Sequence, residues 1–450
     1  MTYTPPAPGI PRRRQRPIDA SVLIVVLWVT VAILSVTLYF ADSMGLEIRA
    51  TANRVSGMAA QQAAEGAVRY VSWTLWNSVS NGILMTNAQF QCEGVPVGDA
   101  RFWLIGRNPD EPQRTDPWFG LVDEASKLNL NVANSNALAS LPGMGSELAS
   151  AIIDWRSTNS DLSLPYATYG YTAKHGPFET VEELRLVQGL TLLELYGEDP
   201  NLNGVLDLDE NRFSSSVQAA PGLLQTTTVF TREPNFHADG TTLTNINTRA
   251  EIQSLLDTTL GTTRGRQVLT QLGFTGNASP TFQSLLGFYV ASGLTPDEFE
   301  KIAPDLCTST NTYVYGRVNI NTASVEVLTA LFLGLGQSEQ TAAGAAETLV
   351  GYRRQTPSRP TSIAWLVSAL GNSNPIVTSL ARRDLVTTRS FQYSGDIVAL
   401  GPNGRGYHRV RLVLDLSDGF PQVIFRQDLS RLGWALGTRT RDLIAAGTLP

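Results

Sequence analysis

The stretch SVLIVVLWVTVAILSVTLYFA, residues 21–41, carries no charged side chain and is just long enough to cross a bilayer as a helix. Arg12, Arg13, Arg14 and Arg16 precede it. Basic residues stay on the cytoplasmic side, so the chain beyond residue 41 is expected to face outward. A cleaved secretory signal fits poorly, because the apolar run is too long and no A-x-A-like site follows it cleanly. The helical pattern then continues. Residues 42–77 contain no proline, and Ile48, Ala52, Val55, Ala59, Ala63, Ala67 and Tyr70 recur at helical steps. Gly45, Gly57 and Gly66 weaken the helix only locally. A helix over 21–77 would be roughly 85 Å long at about 1.5 Å per residue. It is apolar all round at first and amphipathic afterwards, which suits a subunit that leaves a bilayer and packs into a filament.

The remaining chain is long enough for roughly three domains in all. A net charge of -6 argues against polyanion binding as its main business. The stretch DARFWLIG (99–106) reads as a strand, and FGLVDEASKLNLN (119–131) leads from a strand into the next domain. Three alternating stretches over 390–430 read as an antiparallel meander. The two strand groups flank a region that reads mostly helical. The expected fold is therefore α+β: a long N-terminal transmembrane helix packed on a small antiparallel sheet, with a large inserted α-helical domain. The expected boundaries are a leader over 1–20, the helix over 21–77, a head of 78–128 with 389–430, an insertion over 129–388 and a tail over 431–450.

The insertion repeats itself. Asn-x-Asn precedes a helical pattern in LNLNVANSNAL (128–138), TNINTRAEIQSLL (244–256) and VNINTASVEVLTAL (318–331). Asn131, Asn247 and Asn321, or the threonine after the last two, are placed to cap those helices. The first copy runs on through LPGMG into SELASAIIDWR and GPFETVEEL, giving a helix-hairpin-helix unit over 128–190. The third, over 318–370, has a degraded hairpin, and the second shows only the opening element. Pro142, Gly143 and Gly145 form the first hairpin. Backbone N–H groups there could hold a phosphate, but Glu147, Asp154, Glu179, Glu182 and Glu183 surround the single base Arg156. Packing is the expected role, with no nucleic acid as partner.

The sharpest chemical motif is DPNLNGVLDLDE, residues 199–210. It fits the EF-hand loop position by position. Asp199, Asn201 and Asn203 supply side-chain oxygens, Gly204 the turn, Val205 a carbonyl, Asp207 a direct or water-mediated oxygen, and Glu210 a closing carboxylate. Hard oxygen donors suit Ca²⁺; the alternative is an acidic Asx-turn loop without an ion. No complete helix is evident after the loop, so a structural clasp is expected rather than a switch. His175, His237 and His408 show no metal-ligand spacing. Cys92 and Cys307 allow one disulfide in an oxidising compartment without establishing it. No nucleotide, zinc-protease or serine-hydrolase motif occurs, so no enzyme is expected.

The basic leader, SVLIVVLWVTVAILSV and the amphipathic continuation resemble the N-terminus of type IV pilins and type II secretion pseudopilins. In that family a prepilin peptidase cuts just before the apolar stretch, usually after glycine. This chain reads RPIDASVLI there, without a glycine; Ala20–Ser21 is the expected substitute site, and the alternative is no processing. Counting from Ser21, the fifth position is Val25 where most pilins carry glutamate. That departure, the hairpin repeats and the acidic loop resemble the K-type minor pseudopilin of type II secretion. The resemblance implies calcium in the α-domain, I- and J-type minor pseudopilins as partners, a single-pass inner-membrane location with the bulk in the periplasm, and a place at the pseudopilus tip. Two alternatives stand beside it: a minor pilin of a surface type IV pilus, and a membrane-anchored DNA receptor.

Overall fold

The computed structural model describes residues 1–5, 9, 19–78, 82, 90–108, 116–158, 166, 170–205, 222–276, 278–356 and 361–448. The chain divides into two compact units, Met1–Ser56 and Gly57–Pro450. One helix, Asp19–Ser78, belongs to both. Val22–Asn77 holds a window of mean hydropathy 2.6, long and apolar enough to cross a membrane. In the first unit its apolar side chains, Leu23, Trp28 and Phe40 among them, are exposed.

In the second unit the helix packs through Ala60, Ala63, Ala64, Ala67, Val71 and Leu75, all buried. This stripe shares Ala63 and Ala67 with the one read from the sequence, whereas Ile48 and Val55 are exposed. The difference is physical. A helix lies closest to a sheet along its smallest side chains, and four alanines set that line.

Against the stripe lies an antiparallel sheet in the order Val95–Val97, Ala100–Ile105, Gln392–Leu400, Tyr407–Asp415, Gln422–Asp428. The short strand Val122–Asp123 also pairs with Gln392–Leu400, through Tyr393↔Asp123 and Ser394↔Val122. Side chains alternate across a sheet. Phe102, Leu104, Tyr393, Ile397, Ala399, Val410, Leu412 and Leu414 therefore meet the helix. Trp103, Ile105, Val398 and Leu400 face the other way, where Ala435 and Leu436 cover them. The segment read as a tail is thus part of the core. It ends in a helix, Gly437–Ala445.

Between the strand groups the helical insertion is built three times on one plan. Each Asn-x-Asn begins in a two-residue parallel pairing. Leu128–Asn129 pairs with Thr227–Thr228, Thr244–Asn245 with Leu306–Cys307, and Val318–Asn319 with Val386–Thr387. A helix pair follows each time: Ser135–Ala139 with Gly145–Arg156, Arg249–Leu260 with Thr262–Gln271, and Val325–Gly334 with Glu339–Gln355. The second copy is therefore more than the opening element that the sequence reading gives it.

The paired asparagines do not cap these helices as expected. In every copy the first asparagine's Oδ1 accepts the backbone N–H of the second, at 2.8–2.9 Å. Asn131 then grips the backbone of Phe178, accepting its N–H at 2.7 Å and donating to its carbonyl at 3.0 Å. Asn247 grips Phe282 in the same way, at 2.7 and 3.1 Å. In the first and third copies further residues separate the motif from its helix, and capping falls to Asn134 and Ser324; in the second, Thr248 holds the N-cap position without a side-chain hydrogen bond.

Candidate functional site

The acidic loop follows the helix Leu192–Tyr196, whose start is fixed by a capping box between Thr191 and Glu194. Residues 199–205 are described; Asp207 and Glu210 lie outside the described residues. The side-chain oxygens at the first, third and fifth loop positions turn inward. Asp199 Oδ1 accepts the Asn203 N–H at 3.1 Å, and its Oδ2 accepts the Gly204 N–H at 2.7 Å. Asn201 Oδ1 accepts the Asn203 N–H, and Asn203 Oδ1 the Val205 N–H, each at 2.9 Å. Leu202 at φ +58° and Gly204 at φ +88° make the turns. Glycine suits the positive φ at 204, and a Cβ there would also push the Arg107 guanidinium aside.

Two arginines hold this loop from outside the motif. Arg107 Nη2 lies 3.2 Å from Asp199 Oδ2. Burial pushes the Asp199 carboxyl above its ordinary range, and Arg107 opposes that push. Arg409, with no exposed surface, donates to the carbonyls of Asn201 at 2.5 Å and Leu202 at 3.0 Å while pairing with Asp396. Both arginines reach from the face of the sheet that points away from the N-terminal helix. A buried carboxylate among converging amide oxygens is a donor set that fits a hard divalent cation. Asp199, Asn201, Asn203 and Val205 would hold it together with Asp207 and Glu210. Arg107 already answers the Asp199 charge, so such an ion would share or displace that contact.

Sequence reasoning missed Arg409. Its signal was charge at 409, 411 and 415, all on one face of YHRVRLVLD, 407–415, whose other face carries Val410, Leu412 and Leu414. The same face carries further contacts to the insertion. Arg411 reaches Glu182 at 3.7 Å, and Arg232 Nη2 reaches Asp415 at 2.6 Å. Asp123 Oδ2 accepts from Asn319 Nδ2 at 2.8 Å and from Thr322 Oγ1 at 2.6 Å. Its Oδ1 accepts the Ala125 N–H at 2.7 Å and the Ser390 hydroxyl. Arg409 thus fixes the acidic loop to the sheet, and Asp123, opposite Tyr393 in the register, fixes the third repeat.

The hairpin at Pro142 turns through Gly143 at φ +75° and Gly145 at φ +67°. Leu141, Met144, Leu148, Ala149 and Ile152 are buried across it. Glu147 stands in the first turn of the following helix, and the Glu194 side chain lies against Gly143. Arg156 turns back to the carbonyls of Leu130 and Ala133. Arg353 does the same to Ile320 and Ala323 in the third copy. Arg156 is therefore committed to packing, and the carboxylates of Glu147 and Glu194 stand beside the turn.

The remaining candidates stay apart. Ala20 and Ser21 fall in the first turn of the N-terminal helix. His175 lies 3.0 Å from the Ser157 carbonyl, His237 3.5 Å from Asp305, and His408 3.3 Å from the Ser430 hydroxyl. Cys92 and Cys307 are separate thiols, each against a backbone carbonyl. Burial pushes the Cys92 thiol up to about 11.

No protein-family model matches the chain, and no curated protein matches it. Among solved structures it is similar to a chain of the GspK-GspI-GspJ complex from the type 2 secretion system of enterotoxigenic Escherichia coli. The identity is 11%, the match covers 85% of this chain and 99% of that one, and the TM-score is 0.42.

Proposed function

We propose that this chain is a minor pseudopilin of a type II secretion system, held in the inner membrane by its N-terminal helix and acting by protein contact. One observation carries the reading: a single helix is apolar and exposed over its first part, then packs by an alanine stripe on an antiparallel sheet. Such a helix can pass from lipid into a filament without a break. The large insertion opens and closes within that head. It is too bulky to recur along a thin filament, so a place at the tip follows, beside other minor pseudopilins of I- and J-type, with a role in starting assembly. Prepilin peptidase would cut at Ala20–Ser21. The test is loss of the chain in its own cell. Secreted proteins should accumulate in the periplasm, and the tagged full-length chain should co-purify in detergent with the other minor pseudopilins. Normal secretion without it, or co-purification with subunits of a retractile pilus instead, would reject the reading.

Within this reading the acidic loop holds a structural Ca²⁺. At a dissociation constant of roughly 10⁻⁴–10⁻³ M, calcium at about 10 mM should stabilise the protein by about 1.5–3 kcal/mol. Glu210→Gln should lower the melting temperature in calcium and leave it unchanged in chelator. Equal effects in both media would remove the ion from the account.

A further inference from the structure

The chain is acidic overall, yet its C-terminal segment carries exposed arginines close in sequence to an aromatic pair. The Tyr407 and Trp434 rings lie 5.9 Å apart, and the Tyr407 hydroxyl donates to the Gly433 carbonyl at 2.8 Å. Arg441 places its guanidinium 5.4 Å from the Trp434 ring. Arg439 is two residues earlier on the same helix. Arg405 lies two residues before Tyr407, in a turn whose Gly404 touches Ile444 of that helix. Arg431 sits in the turn Ser430–Leu432, two residues before Gly433. All four arginines are exposed. Among the described residues none of the four enters an ion pair, in contrast to Arg409, Arg411 and Arg426 on the neighbouring strands. The acids nearby in sequence are Asp442 and Asp428; the Asp428 carboxyl is held below its ordinary range chiefly by its hydrogen bonds to Ser430, with Arg431 a minor contributor.

We propose that Arg405, Arg431, Arg439 and Arg441, with Trp434 beneath Arg441, form a docking surface for an acidic segment of another protein. The argument is charge complementarity. Four unpaired guanidinium groups on a chain of net charge -6 repel one another and gain most from carboxylates supplied by a partner. Arginine and tryptophan are also the side chains that concentrate binding energy when a partner excludes water. The surface lies on the covering segment whose Ala435 and Leu436 seal the sheet face away from the N-terminal helix. A partner bound there would not compete with whatever packs along that helix. The inference is independent of the secretion reading.

The test uses the full-length chain in zwitterionic detergent and a fluorescein-labelled peptide of ten glutamates. Fluorescence anisotropy should show saturable binding at about 25 mM salt that weakens roughly tenfold or more by about 300 mM. The triple variant R431E/R439E/R441E should lose binding by about tenfold or more, and Trp434→Leu by several-fold. The control R266E/R382E/R383E removes as much positive charge elsewhere and should bind as the parent does. Thermal melts of each variant separate lost binding from lost folding. Equal binding by the first triple variant and the parent would overturn the proposal. So would a decanucleotide or phosphatidylglycerol vesicles bound more tightly than the peptide.

Discussion

Arg409→Met should destabilise the protein by about 3–5 kcal/mol, the usual cost of leaving one member of a buried ion pair alone. Arg409 has no exposed surface, pairs with Asp396 and satisfies two carbonyls of the acidic loop. The substitution keeps an unbranched apolar stem and removes the guanidinium and its donors. The unpaired Asp396 carboxylate then stays partly buried, and the loop loses its attachment to the sheet. Denaturant unfolding of the full chain measures the loss. Arg409→Met combined with Asp396→Leu should recover a large share of it, because two apolar groups leave no orphaned charge. If the double variant is no more stable than the single one, the damage comes from cavity or strain and the electrostatic account fails. The calcium-dependent gain in melting temperature should also shrink in the single variant, since the first half of the loop is no longer held in place.

The second large effect is expected at Asp123. Four donors converge on its carboxylate, from Ala125, Ser390, Asn319 and Thr322. Asp123→Ala leaves all four without an acceptor in a buried site, which should cost about 3 kcal/mol or more. The carboxyl also makes stability depend on pH. Burial pushes it from an ordinary 3.8 up to about 6, with the hydrogen bonds from Ser390, Thr322, Ala125 and Asn319 pulling the other way. The folded state therefore binds a proton between about pH 4 and pH 6 that the unfolded chain has released. Stability contributed by this group falls as pH rises through that window and is level on either side. Asp123→Ala should flatten the slope. An unchanged slope in the variant would assign the dependence to other groups.

Much of this architecture was legible because it rests on local pattern. The uncharged run 21–41 and the proline-free continuation define one helix, and alternation over 390–430 defines three strands. The register of the helix stripe was harder to see. Ala60 and Ala64 carry little hydrophobic signal, and their value lies in how closely they let a helix approach a sheet. The second repeat was hidden for a related reason. Its hairpin lacks the LPGMG signature, and the Asn247–Phe282 grip joins residues far apart in sequence. The oxygen set of Asp199, Asn201 and Asn203 could be read from spacing alone, since a loop motif is local. The arginines that anchor it could not, because Arg107, just past the strand Ala100–Ile105, and Arg409, in Tyr407–Asp415, are distant in sequence and meet the loop only after the insertion folds back on the sheet.

The pairing of Asp123 with Tyr393 has a mechanical consequence. The chain leaves the sheet at one of these residues and returns to it at the other, hydrogen-bonded alongside. Pulling on the N-terminal helix would load the strands through their ladder and pass from one side of this joint to the other. The three repeats between them would lie beside the load path, braced against the beam by the contacts of Arg409, Arg411 and Asp415. They could be enlarged, exchanged or partly unfolded under strain while the beam itself keeps its length.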